Sequence, residues 1–232
     1  MKLLHNVLGI LCGFALMIIL LITSIEAVTY WTPGYYEKEY AKYGVLNDVH
    51  MEMDDLLDVT DEMMAYLRGS REDLHVPTIV DGQPREFFND REIAHMEDVR
   101  GLFLGGLALR RISLGLIVAC VILLLLLKAD IRRVLPKMIC IGSALFFAVL
   151  AVLAGIISTD FNQYFIMFHH IFFNNDLWML NPDTDLLINI VPEFNLYEEY
   201  WRIYGYGCAY CHDLRCIGSH SICNLFHYPV LL

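Results

Sequence analysis

Three apolar runs, each long enough to cross a hydrocarbon core about 30 Å thick, constrain this chain more than any other feature. They are Val7 to about Ala27, about Gly101 to Leu127, and Met138 to about Ser158. Inside lipid no water is left to satisfy backbone N–H and C=O groups, so such runs must fold as helices. Composition agrees, with 57% hydrophobic residues and a mean hydropathy of +0.49. The first run resembles a secretory leader, because Lys2 precedes it and SIEA closes it. Its apolar stretch from Val7 to Ile22 exceeds the usual leader core and two more spans follow, so we read it as an uncleaved anchor.

Orientation follows from the short connection 128–137, KADIRRVLPK, which carries Lys128, Arg132, Arg133 and Lys137. Basic residues in short loops mark the cytoplasmic side. The N-terminus is then cytoplasmic, and residues 28–100 and those after 158 lie outside. Arg110 and Arg111 interrupt the second span, and we expect them near the outer headgroups, where long basic side chains can snorkel to water.

The fold class expected is an α-helical integral membrane bundle with a small extracytoplasmic mixed α/β cap. Residues 1–27 form the first transmembrane helix and 28–100 the cap. Residues 101–158 hold the second and third helices, 159–194 an interfacial segment, and 195–232 an atypical tail. Within the cap, Asp54 to Leu67 has the amphipathic pattern of a helix stopped by Gly69. The stretch 70–90 suggests short strands around a turn at Asp81-Gly82. From Asp90, a plausible N-cap, a helix should run on into the second span. Residues 161–173 are rich in phenylalanine, which favours the membrane interface. LLINIV at 186–191 has the look of a strand.

Net charge is −11, and over 37–100 the count is 17 Asp/Glu against 7 Lys/Arg. That balance argues against nucleic acid and against a basic clamp for anionic lipid. Of seven cysteines, Cys12, Cys120 and Cys140 lie in or beside spans and read as small packing residues.

The polar chemistry gathers in REIAHMEDVR (91–100), before the second span, and in FHHIFFNNDLWMLNPDTDLLINIVPE (168–193), after the third. Both sit at the same membrane face, far apart in sequence but able to meet. His95 and Asp98 fall on one side of a helix, so the carboxylate could orient the ring. Neighbouring His169 and His170 point about 100° apart on a helix, so only one should face His95. A zinc site from His95, His169 and a carboxylate lacks any tight ligand spacing, so no metal or cofactor is expected. No nucleophile elbow, phosphate-binding loop or dinucleotide fingerprint occurs.

The pattern H-M-x-D-V-R before one span, then F-H-x-I-F-F-x-N-D-x-W-x-L-x-P-x-T-D-x-L-I-x-x-x-P-E after the next, resembles a family of bacterial four-span membrane proteins that includes the lipoprotein intramolecular transacylases. The resemblance implies transfer of an acyl chain from the diacylglyceryl group of a lipoprotein to its N-terminal cysteine amine, giving a lyso-form lipoprotein. It implies His95 and His169 as the catalytic pair and leaves His170 a bystander; from the residues themselves we read His95, oriented by Asp98, as the base and His169 as the acid or oxyanion partner, with the reverse assignment open. Arg100, Asn175, Trp178 and Asp185 stand at motif positions that could shape the pocket, although Trp178 and Asp185 could equally be fold residues. The partners implied are diacylglyceryl-modified lipoproteins and membrane lipid. The alternative is a non-enzymatic membrane protein whose outer cap binds or chaperones an envelope partner.

The tail departs from that pattern. A fourth span should follow Pro192-Glu193, yet no apolar run of adequate length appears. Cys208, Cys211, Cys216 and Cys223 with three histidines suggest a metal or disulfide module only superficially, since the later spacings match no common site. From Ile203 to Leu232 every residue has a codon ending in T, and Lys, Glu, Gln, Met and Trp are absent. Codons with T in the middle encode only Phe, Leu, Ile, Met or Val. If these codons mostly end in T, reading one base downstream would turn the stretch into a nearly uninterrupted apolar span, so we read the tail as an out-of-frame fourth helix.

Overall fold

The computed structural model describes residues 1–191, and the expectations for the tail lie outside them. The architecture is almost wholly helical. α1 (Lys2–Glu26) continues through a π-helical stretch, Ala27–Trp31. α2 (Tyr35–Tyr43), α3 (Val45–Val49) and α4 (Met53–Leu67) follow. A hairpin of β1 (Pro77–Val80) and β2 (Gln83–Glu86) precedes the long α5 (Asp90–Leu126). α6 (Ile131–Ile157), α7 (Phe161–Phe172) and α8 (Leu186–Ile190) complete the order.

Three helices are long and apolar enough to cross a membrane: α1 with its π extension, α5 and α6. α1 packs against both of the others. Its contact with α6 is backbone-close. A Cβ added at Gly13 would come within 3.0 Å of the Gly142 Cα, and one at Gly142 within 2.7 Å of the Ile10 carbonyl oxygen. In lipid, where burying apolar surface brings helices no advantage, such small residues let dispersion contacts hold them together. The basic stretch is a loop only as far as Asp130. Arg132, Arg133 and Lys137 already belong to the first turns of α6.

A second core forms from the segment between the first two spans. α4 turns Leu56, Val59, Met63, Met64 and Leu67 inward, the stripe its sequence predicts, and ends at Gly69, whose φ of +83° suits a residue without a Cβ. The expected hairpin is present. Asp81 and Gly82 both have positive φ, as a two-residue turn matched to strand twist requires, and Val80 pairs with Gln83. Phe87 and Phe88 then enter the core with Tyr40, Val45 and Leu74.

α5 runs unbroken from this core into the second span. Its N-cap is Asn89, not Asp90, because Glu92 completes a capping box. The Glu92 N–H donates to Asn89 Oδ1 at 3.0 Å, and the Asn89 N–H donates to Glu92 Oε2 at 2.7 Å. The other Glu92 oxygen accepts the Leu187 N–H at 2.6 Å, tying α8 to α5. The expected strand at 186–191 is therefore wrong: Leu186–Ile190 is helical. Leu187 and Ile190, three apart, both enter the core, a spacing that a short apolar run cannot distinguish from a strand in advance.

Candidate functional site

His95 lies in the polar first three turns of α5, before the apolar run that begins near Gly101. His169 lies in the last turn of α7. Both are buried, each about 8% exposed, and their ring centroids stand 6.4 Å apart. Two residues 74 apart in sequence thus share one small volume. His170 is exposed and meets Trp178 edge-on, its ring centroid 5.5 Å away.

Each ring is held differently. His169 Nδ1 lies 2.8 Å from the Phe165 carbonyl oxygen. A carbonyl can only accept, so Nδ1 carries the hydrogen and a neutral ring keeps its lone pair on Nε2. One face of His169 stacks on Trp178 at 4.6 Å and 26°, while Phe165 and Phe173 crowd its other sides. His95 meets the Phe173 edge at 5.7 Å, and its buried Nδ1 has no hydrogen-bond partner among the described residues. Burial, followed by the neighbouring His169, holds the His95 ring below the usual histidine range, against a smaller upward pull from Asp98. These effects favour the neutral form of the ring.

Asp98 makes no hydrogen bond to His95. It accepts one from Asn175 Nδ2 at 2.8 Å instead. Asn175 is the clasp of the site. Its Oδ1 takes the Leu177 N–H at 3.0 Å, and its carbonyl takes the Trp178 indole N–H at 3.0 Å, which fixes the ring that stacks on His169. Asn175, Trp178 and Asp98 therefore gather around the histidines. Arg100 and Asp185 do not. Arg100 donates to the carbonyls of Arg71 and Glu72 and lies over the Tyr66 ring at 4.6 Å. Asp185 accepts from Asn89 Nδ2, the Asn181 N–H and the Thr184 hydroxyl at 2.7–3.0 Å, knotting the loop before α8 to the start of α5. Both act on the frame.

Beside the histidines an apolar cavity of about 380 Å³ opens between α1, α5 and α7, with His169, Phe173 and Phe103 among its walls. Its polar lining includes Glu26, a buried carboxylate that the sequence reading passed over. Arg110 of α5 pairs with it closely and Arg68 stands 3.6 Å away. Arg110 is thus turned inward rather than snorkelling outward, whereas Arg111 is exposed. The available signal was the lone acid at the end of the first apolar run, set against the arginines of the second. Among the described residues no group of three His, Cys, Asp or Glu is placed to hold a metal ion.

A comparison with curated protein sequences finds no match. Among solved structures, the chain is similar to the membrane-integral lipoprotein intramolecular transacylase Lit from Bacillus cereus. Identity is 20%, the TM-score is 0.66, and the match covers 91% of this chain and 94% of that one. A variant of the same Bacillus cereus protein with one histidine replaced by arginine matches at 22% identity and a TM-score of 0.61, over 91% and 88% of the two chains. At these identities the likeness is one of fold. The sequence itself matches the family model described as lipoprotein intramolecular transacylase Lit over residues 10–194, so the chain belongs to that family.

Proposed function

We propose that this membrane acyltransferase carries out its transfer at the His95–His169 pair, moving an acyl chain of a diacylglyceryl lipoprotein to the amine of the lipoprotein's N-terminal cysteine. One observation carries the assignment: two buried histidine rings 6.4 Å apart beside an apolar cavity that His169 itself lines. The pair is at the reach needed for a group held between the rings to meet both.

The chemistry assigns unlike roles. His169, with Nδ1–H committed to Phe165, offers Nε2 as the base. The cysteine amine, whose conjugate acid has a pKa of roughly 7.7–8.0, attacks the ester carbonyl carbon and gives a proton to Nε2. The tetrahedral oxyanion accepts a hydrogen bond from neutral His95, whose unpartnered nitrogen lies in a dry site where such a bond is strong. The carbon–oxygen bond to the glyceryl group then breaks, and His169 returns the proton to the leaving oxygen. No net proton is consumed, and amine and ester belong to one substrate, so most of the acceleration comes from holding them together. Asp98, Asn175 and Trp178 position the two rings. The basic residues at the α5–α6 turn support a cytoplasmic N-terminus, with the site and the residues 28–100 at the outer face, where a lipid ester resides.

The test expresses the chain in a host whose lipoproteins are diacylated. A parallel version recodes residues 203–232 one base downstream, and mass spectrometry looks for the N-acylated lyso-form. Product should require both His95 and His169, vanish in His95→Ala and His169→Ala, and persist in His170→Ala. Unaltered lipoproteins with the recoded protein present in the membrane would refute the assignment.

A further inference from the structure

We propose that the cavity between α1, α5 and α7 is the slot for the migrating acyl chain, and that Gly106 sets the length of chain it takes. This rests on the transacylase reading and adds to it a determinant of chain selection. His169 lines one end of the cavity, where the ester would react. From His95, α5 advances about 1.5 Å per residue toward the apolar part of the span, so Gly106 lies about 16 Å further along the axis. Between them α5 presents Val99, Leu102 and Phe103 to the cavity, an apolar track along this wall, while Glu26, Thr29 and Arg68 line other parts of it.

Gly106 lines this cavity, and a Cβ built on it would meet no described residue within 4 Å. Among the described residues, nothing packed against α5 therefore demands a glycine here. Glycine inside a helix is less favourable than alanine, and at this position it leaves the slot open. Gly105 serves as the control: its Cβ would also meet no described residue within 4 Å, but it is exposed and is not among the residues that line the cavity. A large side chain at 106 should cut the slot short, while one at 105 should point elsewhere.

The experiment uses the full chain in detergent and a diacylglyceryl-cysteinyl lipopeptide whose ester-linked chain ends in a photoreactive diazirine. Mass spectrometry maps the labelled residues and measures the N-acylated product. In the unaltered protein, label should fall on Leu102, Phe103, Leu107 or Ile22. Gly106→Phe should abolish that label and slow transfer of a hexadecanoyl chain at least about tenfold more than an octanoyl chain. The octanoyl chain is the reference because a block at 106 removes only the far end of the slot. Gly105→Phe should change neither. Gly106→Leu, which adds less bulk, provides the same comparison if the phenylalanine variant fails to fold. Label spread over outward residues such as Leu114 and Val118, unchanged by either substitution at 106, would overturn the slot even if lyso-form product is still made. Cavity labelling that responds to Gly106 without any product would keep the slot and overturn the transacylase reading instead.

Discussion

Glu26→Leu should be among the most damaging single substitutions in the membrane part of this protein. Its carboxylate side chain is only 8% exposed, and Arg110, 27% exposed, is turned in from α5 to meet it. Removing the carboxylate leaves the Arg110 guanidinium facing apolar helices, and breaking a buried pair from one side costs about 3–5 kcal/mol. Arg68 changes this little, because its side chain is 45% exposed and can turn to water. For a chain of this size each kcal/mol moves the melting temperature by about 2–4 °C, so a fall of roughly 6–20 °C is expected. Replacing both partners, Glu26→Leu with Arg110→Leu, removes the unpaired charge and should recover most of that loss. Cys12 and Cys120, each 2% exposed on α1 and α5, make suitable reporters for a thiol-reactive dye during heating. The background should carry serine at Cys140, Cys208, Cys211, Cys216 and Cys223. A melting temperature lowered by less than about 2 °C in Glu26→Leu, or a double variant as unstable as the single one, would refute the pairing as a determinant of stability.

The link between Asn175 and Asp98 should show as coupling in a double-mutant cycle. With the rate of lyso-form production as readout, Asn175→Ala and Asp98→Ala should interact by about 1.5–3 kcal/mol, the range for a charge-assisted hydrogen bond, and additive effects would argue against the clasp. Asp185 gives a pH signature. Burial raises its pKa, but the Asn181 N–H, Asn89 and Thr184 outweigh that and hold the carboxyl below its ordinary 3.8. A depressed folded pKa means stability present above 3.8 and lost as pH falls through the lower folded value. Asp185→Asn should thus lower the melting temperature near neutrality by an amount matching about 1.5–3 kcal/mol, and the gap to the parent protein should close in acid. A gap independent of pH would place the loss elsewhere.

Much of this was legible in the residues because it depends on local period and local chemistry. The amphipathic stripe from Leu56 to Leu67, the Asp81-Gly82 hairpin turn and the helix that runs on through His95 into the second span all follow from neighbours within a few positions. The motifs around His95 and His169 also named two rings that the fold brings together, the helical period allowing only one of two adjacent histidines to face His95 and the family resemblance selecting His169. Where expectation failed, the deciding contact was distant. Leu186–Ile190 is helical while Glu92, far upstream, accepts the Leu187 N–H. Asp98 serves Asn175 across 77 positions rather than its helical neighbour His95.

By itself, then, the sequence determined that this chain must build helices in lipid, and it placed both histidines at the same end of two spans. Whether those rings meet, which nitrogen of His169 remains free, and where the charge of Arg110 goes were decided only by tertiary packing. The reason is physical. Hydrophobic length and helical period act over a few residues, whereas a buried proton acceptor or charge is satisfied by whichever group the fold brings within 3 or 4 Å, and that group is seldom a neighbour in sequence.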